Sequence, residues 1–520
     1  MLLKKMTNIE LLSRTFFLSL TLFHLVCSPN DKAGNKTFVI ATYDDVKDWD
    51  PATAFSLELL PMSNMYETLL WYDSKTDKFI PGLATSYSTS KDGLVWTFNL
   101  RDGVFFHDGT EFNAKAVKFV VDRNKTLNGG ASYIWSYVDK IIINNSQQIT
   151  FMLSSPVPFD KIVSSQYGAW MYSPSFDTIS NHSLNNGFGS GTGPYQFKKW
   201  ARNKYIQLVK FEKYWQGWGK NHFDNVLIQV ASEASTRYQM IKSGLADYVT
   251  LIPNQLIEKL ENNPRVNVSY HHSWTNEFYL LNTKKPPTDN LWFRRAIASS
   301  LDRNTLSTYI YKNTGVDSKG LIPQNIPLFL EPDSLIEFDL DAARRYLKRS
   351  GLEPNSVNLD LSYVSTYEAY RLTAFMLLDN LKKIGVSLDL KPGLWSTNWD
   401  KAKNLDTAPN IISMAWWPTI SSPSDWFLSL YGTQEPPLFN LSYYSNSVLD
   451  SLIKKAWEFE TVDAAAAKGI YKKVQDILIN DCVVIPAVDV KVSSVRKKGI
   501  KGFSSNPAYS TIFVYDLSKD

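Results

Sequence analysis

The alternation of apolar and polar residues first marks strands. "KTFVIATY" (36–43) is a short apolar run of strand length, and "LVWTFNL" (94–100) alternates, with Leu94, Trp96, Phe98 and Leu100 on one side. "RDG" (101–103) turns the chain, "VFF" (104–106) reads as a second short strand, and "HDGT" (107–110) turns it again. Asn113 then caps a helix that carries Val117, Val120 and Val121 on one stripe. In the second half, strands and helices alternate. "VNLDLSYV" (357–364) is a strand, and 368–384 is a helix expected to bury Leu372, Phe375, Met376 and Leu378 before Gly385 stops it. "VSLDL" (386–390) and "NIISMAW" (410–416) follow as strands. Further helices fall at 290–303, with Asp289 as its expected cap, at 340–351, and at 463–480 with Ile470, Val474, Ile477 and Leu478 on its stripe.

Such alternation predicts an α/β protein with a largely parallel sheet. Ligands of these sheets bind beyond the carboxyl ends of the strands. The rule selects three loops, 365–370, 391–399 and 417–426, with Trp395, Trp399, Trp416, Trp417 and Trp426 in or beside them. Two or three of these five indoles are expected to face a cleft.

Length and composition add bounds. A chain of 520 residues exceeds one compact core, which implies two or three lobes. The net charge of +4 has no basic run behind it, which argues against nucleic acid. Lys4, Lys5 and Arg14 precede an apolar stretch from Phe16 to Val26, too short to span a membrane and matching an export signal. Cys27 closes that stretch as it would in a lipoprotein signal, although His24 and Val26 depart from the usual pattern. Residues 28–35 read as a polar tether. The only other cysteine is Cys482, so no disulfide is expected, and no Cys/His spacing suits zinc.

His107 beside Asp108 is the one pair that suggests catalysis. It sits in a turn between strand and helix, and no G-x-S-x-G or H-E-x-x-H motif supplies a nucleophile or metal. The reading is turn geometry. His271 and His272 are adjacent on a strand and point to opposite faces, so they do not chelate together; His182 and His222 are isolated.

Residues 81–123, "PGLATSYSTSKDGLVWTFNLRDGVFFHDGTEFNAKAVKFVVDR", resemble the signature of the extracytoplasmic solute-binding proteins of ABC transporters, in the oligopeptide/dipeptide/nickel-binding family. "GTGPYQFKKW" (191–200), "KYWQG" (213–217), "RYQMIKSGLADYV" (237–249) and "FRRAIASSLDR" (293–303) follow in the family's order. The resemblance implies a two-lobed type II clam-shell of three structural domains, with mixed sheets and hinge crossings. After a signal at 1–27, lobe I would comprise 36–58, 186–272 and 488–520. An extra domain would span 59–185, and lobe II 273–487. The implied protein is a monomer without cofactor or catalysis that captures a peptide or similar small solute and delivers it to a membrane permease. It would lie in the periplasm or on the outer face of the membrane, with Cys27 as the expected lipid anchor.

Trp274 and Asn276 fall where the family's chain crosses between lobes, as site or hinge residues. Trp395, Trp416 and Trp417 are expected ligand contacts. In peptide-binding members an acidic residue four positions before the loop's proline pairs with the peptide's amino group. Counting back from Pro423 gives Thr419, which is not acidic; Asp425 lies beyond the proline. A buried ammonium without a carboxylate costs several kcal/mol. A solute without a free amino terminus, such as a sugar, an opine-like compound or a nickel chelate, therefore stands beside the peptide reading. An exported hydrolase using the 107/108 pair is the remote alternative.

Overall fold

A computed structural model describes residues 36–519 except 56–57, 181–182, 185 and 510. The signal, the tether, Cys27 and His182 lie outside the described residues. Two long strands organise the rest. Val266–Leu281 and Val484–Lys497 run antiparallel, in register from Val266 opposite Lys497 to Leu280 opposite Val484. Both are rich in Val, Ile, Tyr, Trp and Phe, the residues that favour a pleated, half-buried surface.

These two strands serve both lobes. Toward one end Val484–Lys497 pairs with Tyr248–Val249, and the sheet continues through Thr37–Thr42, Asn225–Val230, Tyr205–Lys210 and Tyr195–Ala201. Toward the other end Val266–Leu281 pairs with Ile411–Trp416, followed by Val357–Val364 and Val386–Gly393. Register shifts fall between His272 and Thr275 and between Glu277 and Phe278. Such bulges bend and twist a strand, and here they lie where one lobe passes into the other.

The sheet is mixed rather than largely parallel. Val357–Val364 pairs in parallel with both of its neighbours, as its crossover helix Glu368–Lys383 requires, but Val266–Leu281 is antiparallel to both of its neighbours, Val484–Lys497 and Ile411–Trp416. A second, antiparallel sheet orders Ala84–Thr89, Val95–Leu100, Gln148–Leu153 and Val138–Asn145. Its buried face carries Trp96, Phe98 and Leu100. Helix Ala114–Leu127 packs beside it, with the Asn113 side chain accepting from the N–H groups of Lys115 and Ala116.

Several local readings are corrected. "VFF" forms no strand: Phe105 makes one isolated bridge to Glu111, because positive-φ Gly103 and Gly109 turn the chain on both sides and leave no room for a ladder. Helix Glu368–Lys383 buries Tyr370, Thr373, Ala374, Leu377 and Leu381, while Phe375 is 48% exposed. Helical phase at i, i+3, i+4 and i+7 selects the face, not side-chain size. The same holds for Ala464–Asn480, where Tyr471, Val474, Gln475 and Leu478 are buried and Ile470 and Ile477 only half so. Asn290, not Asp289, caps Leu291–Ala298, accepting from Trp292 and Phe293. The 391–399 stretch is not a loop: its strand runs to Gly393 and helix Trp395–Ala402 begins at once.

Candidate functional site

The strand Ile411–Trp416 ends at Trp416, and the chain then leaves the sheet as a loop to helix Pro423–Leu430. Trp417, Pro418, Thr419 and Ser421 of this loop form one wall of a narrow crevice. The facing wall comes from the segment that follows helix Phe159–Val163, through Ser165, Gln166 and Tyr167. Ser165 Oγ lies 2.5 Å from the Thr419 carbonyl oxygen, so the lobes touch directly here. The Tyr167 hydroxyl meets the Trp417 indole, and Trp417 keeps 44% of its surface exposed. Hydroxyls, an amide, backbone groups and aromatic rings thus line the crevice.

The loop is held from behind by Asp425. Ser422 caps Pro423–Leu430 and places Asp425 in its first turn. Asp425 Oδ2 accepts from Trp416 Nε1 at 2.9 Å and from the Thr419 N–H at 3.1 Å. Burial outweighs these neutral donors and pushes the carboxyl up to about 7. Asp425 is 2% exposed and turns away from the crevice, so it positions Thr419 rather than facing a solute.

Asn276 and Trp274 also lie behind the walls. Asn276 donates to the Leu321 carbonyl at 2.9 Å and accepts from Trp426 Nε1 at 2.8 Å, so its amide is committed to the lobe II core. Trp274 sits at the bulge of its strand, its Nε1 donating to the Asn325 carbonyl and its ring 5.1 Å from that of Tyr72. Trp395 stacks on Trp399, Trp399 on Phe439, and Phe439 meets Trp416 edge-on. Of the three indoles at 395, 416 and 417, only Trp417 lines the crevice; Trp416 and Trp395 brace it through this aromatic row.

The facing wall escaped the sequence reading because Ser165, Gln166 and Tyr167 belong to no periodic segment. Two further contacts join the lobes. Lys161, in helix Phe159–Val163, reaches Glu460 of helix Ser447–Val462 at 2.5 Å. Tyr43 meets Tyr367, and Tyr367 lies close to Glu277 of the crossing strand.

The 107/108 turn is structural. The Gly191 N–H points at His107 Nδ1, so Nε2 carries the proton and donates to the Gly193 carbonyl at 2.9 Å. Burial pushes the imidazole down to about 4, which keeps it neutral. Asp108 accepts from the Thr110 N–H and from Ser175 Oγ. The pair pins the turn to neighbouring segments.

Two lobes sharing crossing strands, with a crevice at the carboxyl ends of their parallel strands, define a hinged solute-binding protein. The model for bacterial extracellular solute-binding proteins, family 5 Middle, matches residues 78–437, and the chain belongs to this family. It is the solute-binding component of an ABC transporter and not an enzyme. The glutathione-binding protein GsiB of Escherichia coli K12 is 26% identical over 480 residues, covering 90% of this chain and 92% of GsiB. A dipeptide-binding protein from Pseudoalteromonas sp. SM9913 in complex with Met-Leu shares the fold with a TM-score of 0.83 at 21% identity, covering 93% of this chain and 100% of that one. NikZ from Campylobacter jejuni in complex with Ni(L-His) has a TM-score of 0.80 at 21% identity, covering 93% and 99%.

Proposed function

We propose that this protein captures a short peptide between the walls Ser165–Tyr167 and Trp417–Ser421, which part to admit it, and delivers it to its permease. One observation carries the reading: the two walls present hydroxyls, an amide and backbone groups beside indole and phenol rings. These groups satisfy a peptide's N–H and C=O groups while the rings take up apolar side chains. The ligands named for GsiB and the Pseudoalteromonas protein are of that class and support it. The lobes, divided as the sequence predicts, would turn about Ser273, whose Oγ donates to the Val490 carbonyl across the crossing strands. The protein acts as a monomer outside the cytoplasmic membrane, held there by a lipid on Cys27.

Titration calorimetry with glutathione, Met-Leu and a nickel–histidine complex tests the ligand class. Peptide binding with a change in tryptophan fluorescence is expected, since Trp417 becomes covered. Saturable binding of nickel–histidine with no heat from either peptide would refute it.

A further inference from the structure

By the family resemblance drawn from the sequence, Thr419 falls where peptide-binding members carry an acid, so on the peptide reading an amino group needs another partner. The crossing strand supplies one. Glu277 lies at the lobe I end of the lobe II sheet, opposite Ala415 next to the terminal Trp416. It is only partly covered, and it follows Asn276, whose side chain points the other way into the core. The Tyr311 hydroxyl donates to Glu277 Oε2. Tyr279, Tyr367 and Tyr370 stand close enough to feel its charge. Among the described residues no lysine, arginine or histidine lies within ion-pair distance of it.

The position matters as much as the composition. Tyr43 directly follows the strand Thr37–Thr42, and Tyr367 follows Val357–Val364. Both are parallel-sheet strands, and beyond their carboxyl ends Tyr43 meets Tyr367, which in turn lies near Glu277. This is where open α/β sheets bind ligands. A carboxylate ringed by phenols is also the chemistry of an ammonium pocket: the charge compensates, and tyrosine faces attract cations. With no cation present, burial pushes Glu277 up to about 8. An arriving ammonium favours its charged form.

We infer that Glu277, with Tyr311, Tyr367 and Tyr43, forms the subsite that receives an alkylammonium group of the solute, the α-amino group of a peptide. The inference rests on the peptide reading above and moves the acid from the loop to the hinge strand.

The test titrates wild type and Glu277→Gln with Met-Leu, N-acetyl-Met-Leu and N-acetyl-Met-Lys. Wild type is expected to bind Met-Leu at least tenfold more tightly than its acetylated form. Glu277→Gln should erase that preference by weakening Met-Leu alone. Wild type needs no variant to expose failure: equal affinity for Met-Leu and N-acetyl-Met-Leu overturns the amino-terminal assignment. Tight binding of N-acetyl-Met-Lys that is lost in Glu277→Gln would keep the ammonium subsite and assign it to a side chain. Peptide binding unaffected by Glu277→Gln overturns the subsite while sparing the peptide reading. Binding of no peptide by wild type sinks both.

Discussion

Glu460 and Glu277 are two carboxylates on the lobe II side of the seam, and their surroundings differ in kind. Glu460 is fully satisfied by the protein: Lys161 comes from the opposite lobe, and the hydroxyls of Ser422 and Tyr471 complete its partners. Among the described residues Glu277 has one phenol donor and no cation. A carboxylate given an internal cation is structural, since its charge is already spoken for. One left with phenols at the meeting of two strand ends is available to a guest. Asp425 lies between these cases, with neutral donors and no cation among the described residues, and its work is to hold a loop.

Lys161→Met breaks the comparison most directly. It leaves Glu460 buried without its cation, and losses of about 3 kcal/mol are typical of such broken pairs. Urea denaturation should show the loss. Asp425→Ala comes next. It orphans the Trp416 indole N–H and the Thr419 amide, at about 1–3 kcal/mol for the buried donors. Stability and peptide affinity should both fall, because Thr419 is no longer held. Trp417→Ala should weaken peptide binding by about 1 kcal/mol, the order of one aromatic contact, with stability little changed because the ring is 44% exposed.

The remaining effect is in pH. Asp425 is raised to about 7 and Glu277 to about 8, so both retain protons in the folded chain that the unfolded chain has released. Their contribution to stability is therefore greatest below the ordinary carboxylate range and is lost as pH rises through 7 and 8. Glu67, also raised by burial to about 7, has the same sign. The melting temperature of ligand-free protein should be higher at pH 5.5 than at pH 8.5. Asp425→Asn should flatten part of that slope; an unchanged slope would show that Asp425 is ionised throughout.

Much of this molecule was legible because its signals are local. The alternation at 95–100, the cap at Asn113 and the stop at Gly385 each depend on a few neighbouring residues, and each is present. The fate of the tryptophans was not. Trp416, Trp417 and Trp426 lie within eleven positions, yet one bonds Asp425, one faces the crevice and one bonds Asn276, 150 residues earlier. That sorting is decided by where Pro423–Leu430 docks, which no periodicity reports. Glu277 did leave a trace. It is the one acid in the aromatic strand "SWTNEFYLL", where an unpaired charge would be expensive without a purpose.

The continuous crossing strands also constrain how a guest arrives. Two ribbons shared by both halves permit swivelling about an axle near the bulge at Ser273 and Trp274 but resist sliding. Glu277 is a few residues from that axle, so it would travel little as the jaws swing. Trp417 and Ser165, on the lips, would travel most. An incoming molecule would thus meet a wide aromatic mouth first and a nearly stationary anchor last, and its departure would reverse that order.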